Sequence, residues 1–482
     1  MDYVSLCLIA KDEDEYLQEW LDYHILIGVE RFYIYDNESK NPILDLLKDY
    51  IERGWVVVHE IKGTAVQVMA YQHCLQIYGE NSMWIGFIDA DEFIVLPQEK
   101  DIKQFLQNFE NYGGLAISSV FFGSGGNKLH PAGGQIINYQ DRFPLAFEDN
   151  QLIKSIVQPV RVQSALSPHD FIYKESYYCV NSNRYRVDAQ RFPISIDKIR
   201  INHYFMRSDT AFQKKMKRLG GAGRQLDINK MQYWQTIPTE KDTVVLDSIA
   251  NILDINNQKI FKYQKNEIDF KDFLHKSIKN KLSPKKESIE YKYKINARDF
   301  ISTHFELNNL IKSAKENHHW QQAKMLLLTS IKELPTFAIR YTGYASTCLI
   351  LNEYNEAEKT LKIALSKFGR TYEVLRVISD YWIAKKEYQK AEQSFKEMLL
   401  IGEEVDTLAR LSYVLILQEK YDEAVKIGMK IIDQYLYADA LDNEFFKKVI
   451  QNCLKILKQT GRPQEAEIFG NKLKNRFPDV IY

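Results

Sequence analysis

The stretch Ile88-Asp89-Ala90-Asp91-Glu92-Phe93-Ile94 decides the fold of the N-terminal half of this 482-residue chain. It places two carboxylates at positions i and i+2 inside an apolar run from Met83 to Leu96. Because side chains in extended backbone alternate with a period of two, Asp89 and Asp91 are predicted to project to the same side at the end of a buried strand. Such a carboxylate pair requires a cation or a network of donors. A hard divalent ion, Mn²⁺ or Mg²⁺, is the predicted partner.

Short β-branched runs alternate with helical patterns of about 10–15 residues along this half of the chain, which predicts βαβ units, an α/β domain and a mostly parallel sheet. The predicted strands are Val4–Ala10, Arg31–Tyr35, Trp55–Ile61 and Met83–Ile88, and the predicted helices are Glu13–Ile27, Pro42–Ile51 and Val66–Tyr78.

Polar residues follow three of the predicted strands. Lys11 comes after the first strand, Asp36 after the second, and the Asp pair after the fourth. In parallel sheets ligands bind beyond the carboxyl ends of the strands, so these residues are predicted to line one crevice. Two alternatives stay open: Asp36 as the cap of a turn, and Lys11 as a solvated surface lysine.

Composition narrows the functional classes. The 64 basic and 64 acidic residues give a formal charge of zero, which gives no support for a global electrostatic footprint for nucleic acid, and no nucleic-acid partner is expected. The opening sequence has no basic leader and no long apolar segment, so we expect a cytoplasmic protein without a membrane span. The five scattered cysteines lack metal-ligand spacing and are expected to be reduced and buried.

A series of motifs lies in this order between residues 3 and 220: Ala10-Lys11-Asp12-Glu13, Phe32-Tyr33-Ile34-Tyr35-Asp36-Asn37, Ile88-Asp89-x-Asp91-Glu92-Phe93, Phe122-Gly123-Ser124, Lys154-Ser155-Ile156-Val157, Asn202-His203-Tyr204 and Arg207-Ser208. This series resembles glycosyltransferase family 92 and related family-2-like enzymes. Family members usually carry Asn where this chain has Asp12. The resemblance implies a GT-A fold over residues 1–230, a Rossmann-like domain that binds a nucleotide sugar.

The same resemblance implies roles for particular side chains. Mn²⁺ or Mg²⁺ is expected at the Asp pair and a late histidine, although a lone histidine is more often a structural residue. Lysine and arginine side chains from the matched motifs are expected to assist the leaving diphosphate, with surface ion pairs as the alternative. The implied metal ligands are Asp89, Asp91 and His203, and the implied donor-binding residues are Lys11, Asp36, Asp89, Lys154 and Arg207.

An inverting reaction, which the resemblance implies, needs a carboxylate to take the proton of the acceptor hydroxyl. This base must lie across the sugar from the metal, in the segment expected to form the acceptor side. Asp141 and Asp170 are the first candidates there, ahead of Glu148 and Asp188. The glycine-rich stretch 121–134 in the same segment is interpreted as a lid or as an irregular strand connection.

The C-terminal third contains a repeat. Alanines at 323, 357, 391 and 424 recur at spacings of 34, 34 and 33 residues, and a fifth copy follows 42 residues later at Ala466. This pattern resembles tetratricopeptide repeats, whose period is 34 residues, and predicts an all-α domain over residues 316–482. Pro335 and Pro478 mark the first and last copies, and the long last spacing predicts extended helices around Tyr435–Leu454. The concave surface of such an array is expected to bind a protein partner or the acceptor, with self-association as the alternative.

Residues 231–315 are predicted to form a helical linker between the two domains. Within it, Lys271–Lys286 is a basic amphipathic stretch. A solvated linker helix is one interpretation, and peripheral contact with the inner face of an anionic membrane is the other.

These observations favour a metal-dependent glycosyltransferase that moves a sugar from a nucleotide-diphosphate donor, a UDP-sugar, to a glycan, lipid-linked or protein acceptor. A role in bacterial surface polysaccharide or glycoconjugate assembly fits the expected location. The alternative is a non-catalytic repeat scaffold with a degenerate enzyme domain. A nucleotidyltransferase also needs paired carboxylates, but the first strand lacks the glycine-rich phosphate loop of that class.

Overall fold

The computed structural model describes residues 1–217, 233–256, 269–285, 294–295, 303–333, 338–434 and 444–476. The chain divides into two compact units. The first comprises Met1–Pro144 and Asp149–Glu306, and the second comprises Leu145–Glu148 and Leu307–Tyr482.

An eleven-stranded mixed sheet forms the centre of the first unit, in the order β12-β11-β6-β8-β4-β1-β2-β3-β15, with β13 pairing to both β5 and β6. Neighbours β1, β2, β3 and β4 are parallel, whereas β8 is antiparallel to β4 and β6. The predicted α/β class with a mostly parallel sheet is confirmed. The strands are β1 Asp2–Ala10, β2 Arg31–Asp36, β3 Val56–Ile61, β4 Ser82–Phe87, β5 Glu92–Val95, β6 Gly114–Phe121, β7 Asp141–Arg142, β8 Ile153–Val157, β9 Val162–Ala165, β10 Phe171–Tyr173, β11 Cys179–Val180, β12 Arg186–Val187, β13 Arg200–His203, β14 Glu240–Lys241 and β15 Lys294–Ile295.

Helices cover the sheet, and the predicted helices of the first half are present with one difference. The single helix expected over Pro42–Ile51 is two short helices, because Leu47 leaves helical backbone at φ −105° and ψ 20°. The helices of this unit are α1 Leu17–Leu26, α2 Ile43–Leu46, α3 Lys48–Glu52, α4 Gln67–Tyr78, α5 Ile102–Gln107, α6 Gln135–Asn138, α7 Asp209–Lys217, α8 Val244–Leu253 and α9 Phe270–Ile278.

Helices α8 and α9 fall in the stretch predicted as a linker, and both contribute to the core of the first unit. Helix α9 packs on α1 and buries Phe270, Leu274 and Ile278. The apolar side of the basic amphipathic stretch is therefore covered by the domain itself. Across the described parts of the chain, no helix is long and apolar enough to cross a membrane. Lys286, at the end of that stretch, lies outside the described residues.

The C-terminal part is a run of helices, and from residue 320 onward each described helix packs against the next one along the chain, which confirms the repeat prediction. The recurring alanines at 323, 357, 391 and 424 are completely buried, and Ala466 is 7% exposed. The five cysteines of the chain are buried and free. Pro335, Pro478 and residues 435–443 lie outside the described residues. The helices are α10 Thr303–Glu316, α11 Trp320–Glu333, α12 Ala338–Ile350, α13 Tyr354–Phe368, α14 Tyr372–Ala384, α15 Tyr388–Ile401, α16 Val405–Leu417, α17 Tyr421–Gln434, α18 Glu444–Gln459 and α19 Pro463–Arg476.

Candidate functional site

The Asp pair lies in the short turn between β4 and β5. The parallel register places Ala10, the last residue of β1, opposite Asp36, the last residue of β2. Strand β13 then runs antiparallel to β5 with His203 opposite Glu92. The ends of β1, β2 and β4 therefore meet at one edge of the sheet, and β13 brings a histidine from far along the chain to the same edge.

Asp91 and His203 converge at this edge. Oδ1 of Asp91 lies 3.6 Å from Nε2 of His203, which is too long for a hydrogen bond, and their side chains are only 9% and 11% exposed. The other carboxylate oxygen of Asp91 accepts a hydrogen bond from the ammonium of Lys215 on α7. Burial opposes ionisation of Asp91, but Lys215 and His203 outweigh it and hold the pKa of this carboxyl well below its usual range.

Asp89 is held differently from Asp91. One of its oxygens accepts from Nε2 of Gln67 at 2.8 Å, and the other accepts from the ammonium of Lys154 at 2.8 Å. One third of the Asp89 side chain is exposed, whereas Lys154 is 2% exposed. Although burial favours the neutral form of both groups, their pairing keeps the pKa of Asp89 below and that of Lys154 well above the usual ranges. Lys154 therefore fixes Asp89, and its predicted direct contact with a donor phosphate stays a prediction.

Glu92 is a member of the site that the sequence prediction left out. Its carboxylate lies 3.2 Å from the ammonium of Lys154 and 3.5 Å from Nδ1 of His203, and it accepts a hydrogen bond from the backbone N–H of Asp89 at 2.9 Å. Burial raises its pKa. An acidic residue in an otherwise apolar strand was the available signal, because such a residue requires partners.

Arg207 contacts the turn that carries Asp89 and Asp91. Its guanidinium donates to Oε2 of Glu13 and to Oε1 of Gln135 at 2.6 Å each, and to the carbonyl of Ala90 at 3.3 Å. It also stacks on the ring of Tyr16 at 3.6 Å. The residue is 5% exposed and has left-handed backbone at φ +50°. Its observed contacts thus position the peptide between the two aspartates, and its predicted contact with the donor is untested.

Hydrogen bonds stabilise the turns that follow β1 and β2. Both oxygens of Asp36 accept backbone hydrogen bonds, from Ser39 at 2.9 Å and from Ile43 at 3.1 Å, so Asp36 caps this turn. Asp12 has left-handed backbone at φ +54°, a conformation in which Asn and Asp are enriched, and this explains why either residue suits the position. Lys11 is partly exposed at the end of β1. The predicted donor contacts of Lys11 and Asp36 are not tested by these interactions.

The two candidate bases, Asp141 and Asp170, differ in exposure and in their contacts. Asp141 begins β7, its side chain is 18% exposed, and it pairs with Lys241 at 2.9 Å. Its carbonyl accepts from the N–H of Gly123, just beyond β6, and β6 in turn pairs with β13 beside His203. Asp170 is 7% exposed and accepts a hydrogen bond from Ser167 within the turn between β9 and β10. The structure therefore connects Asp141 to the strands of the site and holds Asp170 inside a hairpin.

The connection from β6 to β7 is irregular and anchored at its end. Glu19, completely buried on α1, accepts backbone hydrogen bonds from Gln135 at 2.6 Å and Ile136 at 3.1 Å. Gly134 has φ +102°, and a Cβ at this position would lie 2.4 Å from Glu19. Glycine thus allows the loop to approach the carboxylate. Burial raises the pKa of Glu19 to about 7.

His169 is a second residue that sequence reasoning left out of the site. Its Nδ1 lies 2.8 Å from the carbonyl of Ile153, so Nδ1 carries the proton and Nε2 has the lone pair. Burial and the nearby charge of Lys154 lower its pKa to about 4, so the ring is neutral at pH 7. Its only sequence signal was its place beside Asp170.

The residue types of the site fit a divalent ion. No group of three or more His, Cys, Asp or Glu side chains is arranged to hold a metal among the described residues. The carboxylate of Asp91 and the imidazole of His203 nevertheless face each other at a separation that two ligands of one ion can adopt. Mg²⁺ sites commonly use one or two carboxylates and complete their coordination with substrate phosphates and water. Asp91 and His203 could thus hold Mn²⁺ or Mg²⁺ together with a diphosphate.

Comparison with known families agrees with the motif series. Residues 3–236 match the model of glycosyltransferase family 92. The N-terminal unit contains a glycosyltransferase family 92 domain. Similar curated proteins include a family 92 protein of Ricinus communis, 29% identical over 45% of this chain and 37% of that protein, and one of Oryza sativa subsp. japonica, 30% identical over 37% and 31%. A galactan beta-1,4-galactosyltransferase of Arabidopsis thaliana is 28% identical over 24% of this chain and 25% of that protein. The chain thus spans between 25% and 37% of the length of these relatives.

Solved structures similar to this chain include the MamA protein, with 14% identity and a TM-score of 0.30 over 37% of this chain and 96% of that one. Another is YrrB, described as a TPR protein with an unusual peptide-binding site, with 20% identity and a TM-score of 0.27 over 32% and 75%. The repeat assignment itself rests on the helix pairs and their spacing.

Proposed function

We propose that the family 92 domain is a metal-dependent GT-A glycosyltransferase that moves a sugar from a UDP-sugar to a glycan acceptor. The observation that carries this proposal is the convergence of Asp91 and His203 at the carboxyl edge of the sheet, 3.6 Å apart and largely buried. Ligands of open α/β sheets bind at this edge. The family match supports glycosyl transfer as the reaction class.

The charged residues of the site have separate roles in this proposal. A divalent ion held by Asp91 and His203 would stabilise the charge that develops on the leaving diphosphate. Lys154 keeps Asp89 ionised and oriented beside it. Arg207 fixes the peptide at Ala90 through its carbonyl, so that both aspartates keep their direction.

Asp141 is the better of the two candidate bases for an inverting reaction. It retains some exposure, and two strand spacings, about 10 Å, separate it laterally from His203. Asp170 would first have to leave its hydrogen bond with Ser167.

The donor and acceptor can be narrowed by the relatives. Two of the Arabidopsis relatives are galactan beta-1,4-galactosyltransferases, so UDP-galactose is the first donor to test and a galactan is the first acceptor. Lipid-linked and protein acceptors are the next candidates, and the repeats would present a partner or acceptor to the enzyme. A role in bacterial surface glycan assembly stays a prediction.

The test is release of UDP from a panel of UDP-sugars by the full chain, with Mn²⁺ or with EDTA. We expect Mn²⁺-dependent release that falls at least about 100-fold in Asp91→Asn. Asp272→Asn, an exposed carboxylate change on α9, is the matched control and should leave the rate unchanged. Equal rates in EDTA, or an unaffected Asp91→Asn, would reject the metal site. Folded protein that neither binds nor turns over any donor would favour the scaffold alternative.

A further inference from the structure

The ammonium of Lys215 occupies one side of the carboxylate that is the best metal ligand in the structure. Oδ2 of Asp91 accepts a hydrogen bond from this ammonium, while Oδ1 faces Nε2 of His203. The ammonium also lies 3.8 Å from the centre of the Phe205 ring. Lys215 is therefore held by a charge-assisted hydrogen bond and a cation–π contact, both at the site.

The two lysines that compensate the Asp pair differ in accessibility. Lys154 is 2% exposed and contacts two carboxylates, whereas the side chain of Lys215 is 23% exposed. Lys215 lies in the last turn of α7, which ends at Lys217. A partly exposed lysine has a strongly hydrated ammonium on a flexible four-carbon stem, so it can turn this charge into water when another cation takes its partner. Lys215 can thus leave Asp91, whereas Lys154 is confined beside Asp89.

We propose that Lys215 is an internal counter-cation of Asp91 that competes with a divalent ion for this carboxylate. The inference rests on the metal site of the proposed function. A divalent ion between Asp91 and His203 and an ammonium on the other oxygen of Asp91 would be two positive centres within a few ångströms of each other, in a partly dry site where repulsion is strong. Because binding free energies are reciprocally coupled, the ion weakens the Lys215 contact as much as Lys215 weakens ion binding.

The competition predicts that Mn²⁺ binds more tightly when the ammonium is removed. Mn²⁺ titration by calorimetry, without any donor, compares the wild-type chain with Lys215→Met, Lys215→Arg and Lys214→Met. Lys214 is an exposed lysine on the same helix and is the matched control. We expect Lys215→Met to lower the Kd for Mn²⁺ about 10-fold, and Lys215→Arg and Lys214→Met to bind as the wild type does.

A Kd in Lys215→Met equal to that of the wild type would overturn the competition and leave the metal site standing. Absence of Mn²⁺ binding in all four proteins would overturn both the metal site and this inference. A second measurement uses only wild-type protein and does not depend on a variant that folds. Mass spectrometry after brief acetylation should show several-fold faster modification of Lys215 with saturating Mn²⁺, and an unchanged rate at Lys214. An unchanged rate at Lys215 as well would contradict the displacement.

Discussion

Replacing Lys154 by Met tests whether the Asp pair depends on a buried ammonium. The ammonium lies 2.8 Å from Asp89 and 3.2 Å from Glu92, and it is 2% exposed. Removing one partner of a buried ion pair costs about 3–5 kcal/mol, because the remaining charge stays buried without compensation. Asp89 is one-third exposed and can regain water. We therefore expect the free energy of unfolding of the N-terminal unit to fall by about 3 kcal/mol, the low end of this range.

Urea unfolding followed by hydrogen-exchange mass spectrometry measures this loss, because peptides from residues 1–144 report the N-terminal unit separately from the repeats. The double variant Lys154→Met with Glu92→Gln should recover at least about 1 kcal/mol, since it removes one of the two orphaned charges. Lys276→Met changes a surface lysine that is 73% exposed and should cause no measurable shift. A loss below about 1 kcal/mol in Lys154→Met would refute the assignment of Lys154 as the counter-ion of the site.

Three further changes probe other parts of the site and its support. Arg207→Lys removes a guanidinium that stacks on Tyr16 and donates several hydrogen bonds, so kcat/KM should fall at least about 10-fold in the UDP-release assay. An unchanged value would show that the Arg207 guanidinium is not needed to position the Ala90 peptide. Burial lowers the folded-state pKa of His59 to about 4, so its stabilisation is present above pH 6.5 and is lost as the pH falls toward 4. Between pH 7 and pH 5, the unfolding free energy of the wild type should therefore fall by up to about 2 kcal/mol more than that of His59→Gln. Urea midpoints that change in parallel in the two proteins would contradict this. Gly134→Ala forces a Cβ to within 2.4 Å of Glu19 and should lower the free energy of unfolding by at least about 2 kcal/mol. Gly126 has φ +78° and no atom within 4 Å of an added Cβ, so Gly126→Ala should cost only about 1 kcal/mol. Equal costs would show that Glu19 does not constrain the loop.

Local sequence pattern was sufficient for the first four strands and the repeats. The strand prediction Met83–Ile88 differs from β4 by one residue at each end, because the buried apolar run and the following carboxylates are local signals. The recurring alanines likewise determine where helices approach closely, and this needs no long-range information.

The partners of the site side chains depend on contacts between residues far apart in sequence. Lys215 reaches Asp91 across 124 positions, and Glu19 reaches Gln135 across 116. Neither pair leaves a local pattern, since an isolated lysine or glutamate in a helix is usually a solvated residue. The register of β13 on β5 is equally non-local, and only the resemblance to a family pointed to His203 beforehand.

Pulsed electron paramagnetic resonance of Mn²⁺ bound to the full chain with UDP tests the central claim most directly. Asp91 and His203 as ligands predict nitrogen modulation from one imidazole that disappears in His203→Gln, together with phosphorus coupling from the diphosphate. Mn²⁺ that binds with UDP but shows the same nitrogen modulation in His203→Gln, or none in the wild type, would contradict the proposed metal site.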